Sequence, residues 1–290
     1  MKPQIVDGLG IMLLRKGFVV KNLTRTCFDL LARKDGKILL VKVLEDANSV
    51  SFEHTLDMNR VASYLNASPL IISEKAGDML QDNIIYSRFN IFTLTPKTFE
   101  LALDNRLPFL RRTNAGITAH IKGEELKRMR EKQELSLQNL SRSIGVSRRM
   151  ISKYENEGAD ITLSKAAKLY DLLGHQVFDK VEIFSHVGKP DHEKGSVLTK
   201  KYQDLGFDAS MTKNVPFDVI AKKDNELILT GVGDKPSKHL SSLSMMIDAD
   251  NLVIFKKKKP KGHPAMSKKD FLELEKAAEL VKFVHDEKYL

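Results

Sequence analysis

The chain has 290 residues, which is enough for two or three domains that each have a hydrophobic core. Its 47 lysine and arginine residues outnumber 38 acidic ones, and the formal charge of +9 favours a polyanionic partner. The single cysteine, Cys27, excludes an internal disulfide framework and a cysteine-based zinc site. Because the chain has neither a signal-peptide pattern nor an apolar run of roughly eighteen residues, we expect a cytoplasmic protein without a membrane partner.

The first part of the chain has the pattern of an α/β unit. A helix is predicted from Ile5 to Lys16, and it is followed by a hairpin that turns at Asp35-Gly36. A second helix over Phe52 to Leu65 leads into a short apolar strand over Pro69 to Ser73. This order predicts a mixed sheet with helices packed on it.

The middle of the chain contains two short amphipathic helical patterns hinged at Gly145. Ser136 and Ser147 are placed to cap the two helices, and paired arginines open the second one. The apolar positions expected to face a common core are Leu137, Leu140, Ile144, Met150, Ile151 and Tyr154. Flanking helices over Gly123 to Gln133 and Leu163 to Leu173 are expected to close that core with Leu126, Met129, Leu163, Ala167 and Leu172.

Residues Ile121 to Gly174 resemble the phage-repressor or Xre-like family of helix-turn-helix domains, in which five helices pack together and dimers read pseudo-palindromic operators. The resemblance implies base contacts from Arg148, Arg149 and Lys153, at the exposed start of the second helix. It also implies phosphate contacts from Ser147 and Asn156, and Ser152 faces the same side. Arginine suits guanine because its fork can pair with O6 and N7 together.

Two further positions are compared with that family. Its members tend to pair an arginine of the first helix with a glutamate at the end of the third, and Arg130 and Glu155 fit this pattern. The family's phosphate-binding glutamine opens the second helix, but here Leu137 stands at that position and Gln138 follows it. The alternative interpretation is a helical bundle for protein contacts, with solvated arginines.

The last part of the chain repeats the first. Gly17 to Val43 aligns without a gap with Gly206 to Val232, and FDLLARKD at Phe28 becomes FDVIAKKD at Phe217. The repeat predicts a helix, a hairpin, a helix and a strand again. Their expected bounds are Ser196 to Leu205, a turn at Asp224-Asn225, Lys238 to Ile247, and Leu252 to Phe255. Each copy ends in a segment that starts at a small hydroxyl residue with a phenylalanine four residues later, Thr95 with Phe99 and Ser267 with Phe271. The first copy also has an insertion at about Glu74 to Asn90.

We therefore predict two homologous α/β domains flanking a five-helix DNA-binding domain. The expected limits are residues 1–110 for the first domain, 118–180 for the middle one and 190–290 for the last. Asn105 to Gly116 and His186 to Gly195 are expected to be linkers.

The α/β pattern resembles the restriction-endonuclease-like fold of PD-(D/E)xK nucleases. In that family an aspartate and a Glu-x-Lys hold magnesium, and Asp29 and Asp218 match the aspartate. Reading Lys42 as the lysine places Leu40 where the glutamate should be, and leucine cannot bind metal. The second copy has Thr230, Gly231 and Gly233 at this strand end. We expect no catalytic residue, metal ligand or cofactor, and either aspartate could instead accept backbone hydrogen bonds.

The whole domain order resembles a family of archaeal helix-turn-helix transcription regulators. The leading hypothesis is a regulator that binds double-stranded DNA as a homodimer. The first alternative is a metal-dependent nuclease, directed by the helix-turn-helix, that has recruited Asp7, Glu45 or Glu53 as a substitute carboxylate. The second is an antitoxin-like or scaffold protein. Lysines 256–259 and Lys261 could contact phosphates or form a solvated loop.

Overall fold

The computed structural model of the chain describes residues 2–185, 188 and 195–287. Its α-helices are α1 (Lys2–Arg15), α2 (Phe52–Leu65), α3 (Pro96–Leu103), α4 (Gly123–Lys132), α5 (Leu137–Ile144), α6 (Arg148–Glu157), α7 (Leu163–Leu173), α8 (Val197–Asp204), α9 (Leu240–Met246), α10 (Lys268–Glu273) and α11 (Ala277–Glu287). Its strands are β1 (Val19–Asn22), β2 (Leu30–Lys34), β3 (Lys37–Val43), β4 (Ser68–Ile72), β5 (Lys75–Ala76), β6 (Asp78–Met79), β7 (Ile84–Arg88), β8 (Ile91–Leu94), β9 (Leu110–Thr113), β10 (Gly116–Ile121), β11 (Ala159–Thr162), β12 (Asp208–Met211), β13 (Val219–Lys223), β14 (Glu226–Val232), β15 (Asp250–Phe255) and β16 (Ala265–Ser267). Two 3-10 helices span Ala47–Ser49 and His175–Val177.

The chain divides into two compact units. Unit 1 comprises residues 1–45, 49–71 and 184–290, and it therefore contains the hairpins of both repeats. Unit 2 comprises residues 46–48 and 72–183 and contains the helix-turn-helix segment. The domain limits expected from the sequence remain predictions. The expected linker at 186–195 lies outside the described residues, except for Gly188 and Gly195.

The two repeats have the same strand pairing at one constant offset. β1 pairs antiparallel with β2 with Val19 opposite Arg33, and β12 pairs with β13 with Asp208 opposite Lys222. In each copy this strand pair continues antiparallel into the third strand, β3 or β14. In the second copy the third strand is followed in parallel by β15 and β16, and in the first copy β4 lies next to β3. The duplication predicted from the sequence is confirmed, although α1 starts earlier and α9 is shorter than expected.

Within unit 1 the two repeats pack against each other through equivalent surfaces. Arg33 in β2 donates a hydrogen bond from Nη1 to the carbonyl of Met246 at 2.9 Å, and Met246 ends α9. Lys222, at the equivalent position of β13, donates from Nζ to the carbonyl of Tyr64 at 3.2 Å, near the end of α2. Each hairpin thus supplies a cation to the C-terminal turn of the other copy's helix, where the helix dipole is negative. The arrangement is isologous, as in a twofold dimer, but lies within one chain.

Unit 2 joins the helix-turn-helix to a small sheet. β10 pairs antiparallel with both β9 and β11, and β7 runs parallel to β9. The expected linker at 105–116 is therefore wrong in part, because residues 110–113 form a paired strand. The insertion of the first copy contributes β5, β6 and β7.

The helix-turn-helix follows the predicted boundaries closely. Ser136 and Ser147 accept hydrogen bonds from the N–H groups of Asn139 and Met150, and so cap α5 and α6. Gly145 adopts a φ of +76° between the two helices, where a side chain would be strained. Four α-helices and the 3-10 helix at 175–177 make up this part of unit 2.

The core of this domain differs from the expectation in the phase of α7. Leu126, Met129, Leu140, Ile144, Ile151 and Tyr154 are buried as predicted, and Leu137 is partly buried against them. Leu163, Ala167, Leu172 and Met150 are exposed, so their assignment to the core was wrong. Ala166, Leu169 and Leu173 fill the core instead. A helix rich in Leu and Ala offers two stripes of helical period, and only packing selects between them.

Helix α6 is held at its C-terminal end by α4. A Cβ atom on Gly123 would lie 2.5 Å from the carbonyl oxygen of Glu155, so the two backbones approach as closely as only glycine permits. Arg130 pairs with the Glu155 carboxylate through two hydrogen bonds, Nε to Oε1 at 2.6 Å and Nη2 to Oε2 at 3.1 Å. Its Nη1 also donates to the carbonyl of Leu135 at 2.9 Å. The Glu155 carboxylate raises the pKa of Arg130. The pair between Arg130 and Glu155 that the family resemblance implies is therefore confirmed.

We expect Arg130→Ala to lower the free energy of unfolding by about 3 kcal/mol, because Glu155 would keep a nearly buried charge without its partner. Urea unfolding followed by circular dichroism measures the loss, and hydrogen exchange should place it in α4 and α6. The matched control is Arg128→Ala, which removes a guanidinium of the same helix whose pair with Glu125 is exposed. Unchanged unfolding of Arg130→Ala would contradict a stabilising role for the pair.

Candidate nucleic-acid interface

The start of α6 presents two unpaired cations to solvent. Arg148 and Arg149 are the first two residues of the helix, directly after the Ser147 cap, and both are exposed. Within the described part of the chain, neither guanidinium makes a hydrogen bond or an ion pair. All five donors of each side chain are therefore available to an acceptor outside the protein.

The predicted DNA-contacting residues of α6 share one face. At about 100° per residue, positions 148, 149, 152, 153 and 156 fall within an arc of about 140°, opposite the buried Ile151 and Tyr154. Lys153 and Asn156 are exposed, and Ser152 is half-buried. Lys153 lies 3.9 Å from the carboxylate of Glu157, a loose pair that leaves its ammonium in solvent.

The start of α5 has a second exposed polar residue. Gln138 is exposed next to the Ser136 cap, whereas Leu137 is partly buried against the core. A glutamine at position 137 would therefore lie against apolar side chains, and Gln138 offers an amide to solvent one residue later.

The nuclease-like residues of the first copy are occupied by contacts within the protein. Asp29 accepts a hydrogen bond at Oδ2 from the N–H of Val43 at 2.8 Å, and its Oδ1 lies 3.0 Å from the ammonium of Lys2 and 3.5 Å from that of Lys42. Lys42 also donates to the carbonyl of Thr26 at 2.8 Å. Burial lowers the pKa of Lys42, and the Asp29 carboxylate opposes this shift. Lys2 could not be predicted as a partner of Asp29 from the sequence.

The second copy keeps the aspartate in the same backbone role. Asp218 accepts at Oδ2 from the N–H of Val232 at 2.7 Å, which is the counterpart of the bond between Asp29 and Val43. Gly231 stands where the first copy has Lys42, so no lysine accompanies Asp218 there. The shared function of the two aspartates is to fix the end of the third strand, β3 or β14, as the backbone interpretation predicted.

The carboxylates considered as substitutes for the missing glutamate lie at the surface. Leu40 is fully buried, and Asp7, Glu45 and Glu53 are exposed. Among the described residues, Asp29 belongs to no group of three side chains that could share a metal ion.

A loop of the second copy covers the chain just before Asp29. Cys27 donates its N–H to the carbonyl of Asn214 at 2.6 Å, and the Asn214 amide donates to Asp57 at 3.0 Å. Asp57 is in turn paired with Arg60 at 2.9 Å. Access to this side of the site is thus restricted by the other repeat.

The lysine-rich loop after β15 is held by one carboxylate. Asp234 accepts from the backbone N–H groups of Lys256, Lys257 and Lys258, at 2.8, 2.9 and 3.4 Å. These N–H groups lower the pKa of Asp234. The three lysine side chains are exposed, and Lys259 instead pairs with Glu287 at 2.9 Å. A contact of this loop with phosphates stays a prediction.

Comparison with known families agrees with this architecture. Residues 2–108 match the PD-(D/E)XK superfamily domain, and residues 126–174 match a helix-turn-helix family. No solved structure gives a significant match. No helix in the described ranges is both long enough and apolar enough to cross a membrane.

Similar proteins cover nearly the whole chain. A protein of Methanosarcina mazei is 30% identical in an alignment of 318 positions, which covers 98% of this chain and 96% of that protein. A protein of Methanoculleus marisnigri is 31% identical in an alignment of 303 positions, which covers 98% of each of the two proteins. One of Methanocaldococcus jannaschii is 28% identical, over 97% of this chain and 95% of its own. Each carries the name "Putative HTH-type transcriptional regulatory protein". The chain, in which a PD-(D/E)XK domain precedes a helix-turn-helix, therefore belongs to this archaeal family of HTH-type transcriptional regulatory proteins.

Proposed function

We propose that this protein is a sequence-specific transcription regulator that binds duplex DNA as a dimer and does not cleave it. The observation that carries the proposal is the exposed face of α6, with Arg148 and Arg149 unpaired at its start. An α-helix fits the major groove, and a guanidinium there can pair with O6 and N7 of a guanine. We assign the protein to the cytoplasm, where it would meet the chromosome.

The contacts divide into two classes. Arg148, Arg149 and Lys153 are assigned to base edges, and Ser152 lies between them on the same face. Ser147 and Gln138 are assigned to phosphates because they lie at the starts of α6 and α5, where backbone N–H groups and the helix dipole attract anions. Asn156 lies near the C-terminal end of α6 on the same exposed face, and it is assigned to a phosphate from the resemblance to the repressor-like family. Phosphate contacts position the protein on DNA, and base contacts specify the sequence.

The nuclease alternative has less support. Both oxygens of Asp29 are engaged by lysines and a backbone N–H, and hydrolysis of a phosphodiester by this family's chemistry requires carboxylates that are free to hold a metal. The equivalent Asp218 has the same backbone partner without the lysine. The nuclease-like fold is therefore proposed as a binding scaffold.

The dimer requires a surface other than the one that joins the two repeats. That surface is used inside unit 1, where Arg33 and Lys222 each reach a helix of the other copy. We propose that two chains associate so that their α6 helices lie about 34 Å apart, one turn of duplex DNA.

Arg148→Ala and Arg149→Ala should each relax sequence preference by roughly 1–3 kcal/mol if the side chain pairs with a base. Genomic footprinting first identifies the bound sites, and competition binding then compares a site with random DNA. Arg128→Ala serves as the charge-matched control and should leave the preference unchanged. Equal weakening on both DNAs in the α6 variants would refute the base contacts.

The dimer should protect two half-sites centred about one or a small whole number of helical turns apart. Footprinting gives the spacing, and sedimentation of the protein–DNA complex gives the number of chains. A single protected half-site with one chain bound would contradict the dimer while leaving DNA recognition intact.

Supercoiled plasmid and branched DNA should survive incubation with the pure protein and magnesium or manganese, because Asp29 belongs to no group of three metal-binding side chains in the described part of the chain. Gel electrophoresis detects nicking, and binding in the presence of a chelator should persist. If nicking appears and Asp29→Asn abolishes it with binding retained, the protein is a nuclease and the non-catalytic proposal is wrong.

A further inference from the structure

Three side chains that the proposed function does not use converge in the second repeat. Glu226 is the first residue of β14, Asp250 is the first residue of β15, and His285 lies in α11. β14 and β15 are parallel, with Ile228 opposite Asp250. Since side chains two residues apart on a strand share a face, Glu226 and Asp250 point to the same side of the sheet. Helix α11 packs against β15 and brings His285 to them.

The spacing of the three side chains matches a tetrahedral metal site. Nε2 of His285 lies 3.0 Å from Oδ2 of Asp250 and 3.5 Å from Oε2 of Glu226. The three ligand atoms lie within 4.8 Å of one another. Around a tetrahedral ion with bonds of about 2.0–2.2 Å, ligand atoms are about 3.3–3.6 Å apart, so small side-chain movements would bring all three into coordination.

The burial of the cluster and its access to solvent suit a bound cation. The Asp250 side chain is only 8% exposed, whereas His285 and Glu226 are 48% and 37% exposed. A buried carboxylate is costly unless its charge is compensated. A divalent cation would place two positive charges beside the two carboxylates, and solvent access on the His285 side leaves a path for entry and a place for a water ligand.

We propose that Glu226, Asp250 and His285 bind a divalent transition-metal ion, zinc in preference to magnesium. The imidazole nitrogen determines the preference, because magnesium favours oxygen ligands whereas zinc accepts nitrogen and oxygen. The site is distinct from the nuclease-like position at Asp218, whose carboxylate binds the backbone of Val232. It is also specific to the second repeat, since Lys37 occupies the position equivalent to Glu226.

The ion would fasten the C-terminal helix to the sheet. Helix α11 also carries Glu287, which pairs with Lys259 and accepts from the N–H of Ala265 at the start of β16. Fixing α11 at His285 therefore also holds the end of the lysine-rich loop. The proposal concerns stability of the second repeat and does not depend on DNA recognition.

The test uses the full chain, stripped with a chelator and then titrated calorimetrically with zinc chloride or magnesium chloride. We expect one zinc per chain, a higher melting temperature with zinc, and neither effect with magnesium. Cobalt(II) should give the visible absorption of a tetrahedral site, and zinc should displace it. Ligands that bind only the folded state raise its melting temperature by mass action.

Variants assign the ion to this site. His285→Ala and Glu226→Gln change exposed or half-exposed side chains and should fold, yet lose the cobalt spectrum and the zinc-induced shift in melting. Asp250→Asn should do the same if it folds. The matched control is His54→Ala, which removes a histidine from the first repeat and should retain both signals. Absence of stoichiometric zinc binding, or binding that survives both His285→Ala and Glu226→Gln, would overturn the site.

Discussion

The close contact between α4 and α6 is the constraint on which DNA recognition depends. Gly123 allows the two helices to meet with no side chain between them, and the Arg130–Glu155 pair fixes the end of α6. With its C-terminal end held in this way, α6 can leave its first residues exposed without losing its orientation. A helix that positions guanidinium groups against base edges needs rigid support at one end and a free surface at the other.

The two nuclease-like repeats keep an aspartate that has the same structural role in both. Asp29 and Asp218 each accept a backbone N–H from the end of the neighbouring strand, and this bond needs only a carboxylate. The lysine is present in one copy and replaced by Gly231 in the other. The aspartate is therefore explained by the fold. The residues around it, such as Lys42, would be needed only for chemistry.

Much of the fold could be predicted because its signals are local. The gapless repeat and the caps at Ser136 and Ser147 depend on short segments, and both are confirmed. Strands β9 and β10 were missed because they form a short hairpin in and next to a segment that was interpreted as a linker. Strand β11 was missed because it has four residues and is stabilised by pairing with β10, which is distant in sequence. The partner of Asp29 at Lys2 was missed for the same reason, since a contact between a helix start and a strand leaves no periodic pattern. Exposure of Arg148 and Arg149 could be predicted, whereas their contacts with bases depend on the DNA.

Fusion of two α/β repeats in one chain has a consequence for how each can change. In a dimer of identical chains, every substitution appears on both sides of the interface. Here the reciprocal contacts of Arg33 and Lys222 are made by two separate positions of one sequence, so the halves can diverge while still fitting each other. Among the described residues, the cluster of Glu226, Asp250 and His285 has no counterpart in the first copy. Two repeats joined in one chain can differ in this way, whereas the subunits of a symmetric homodimer cannot.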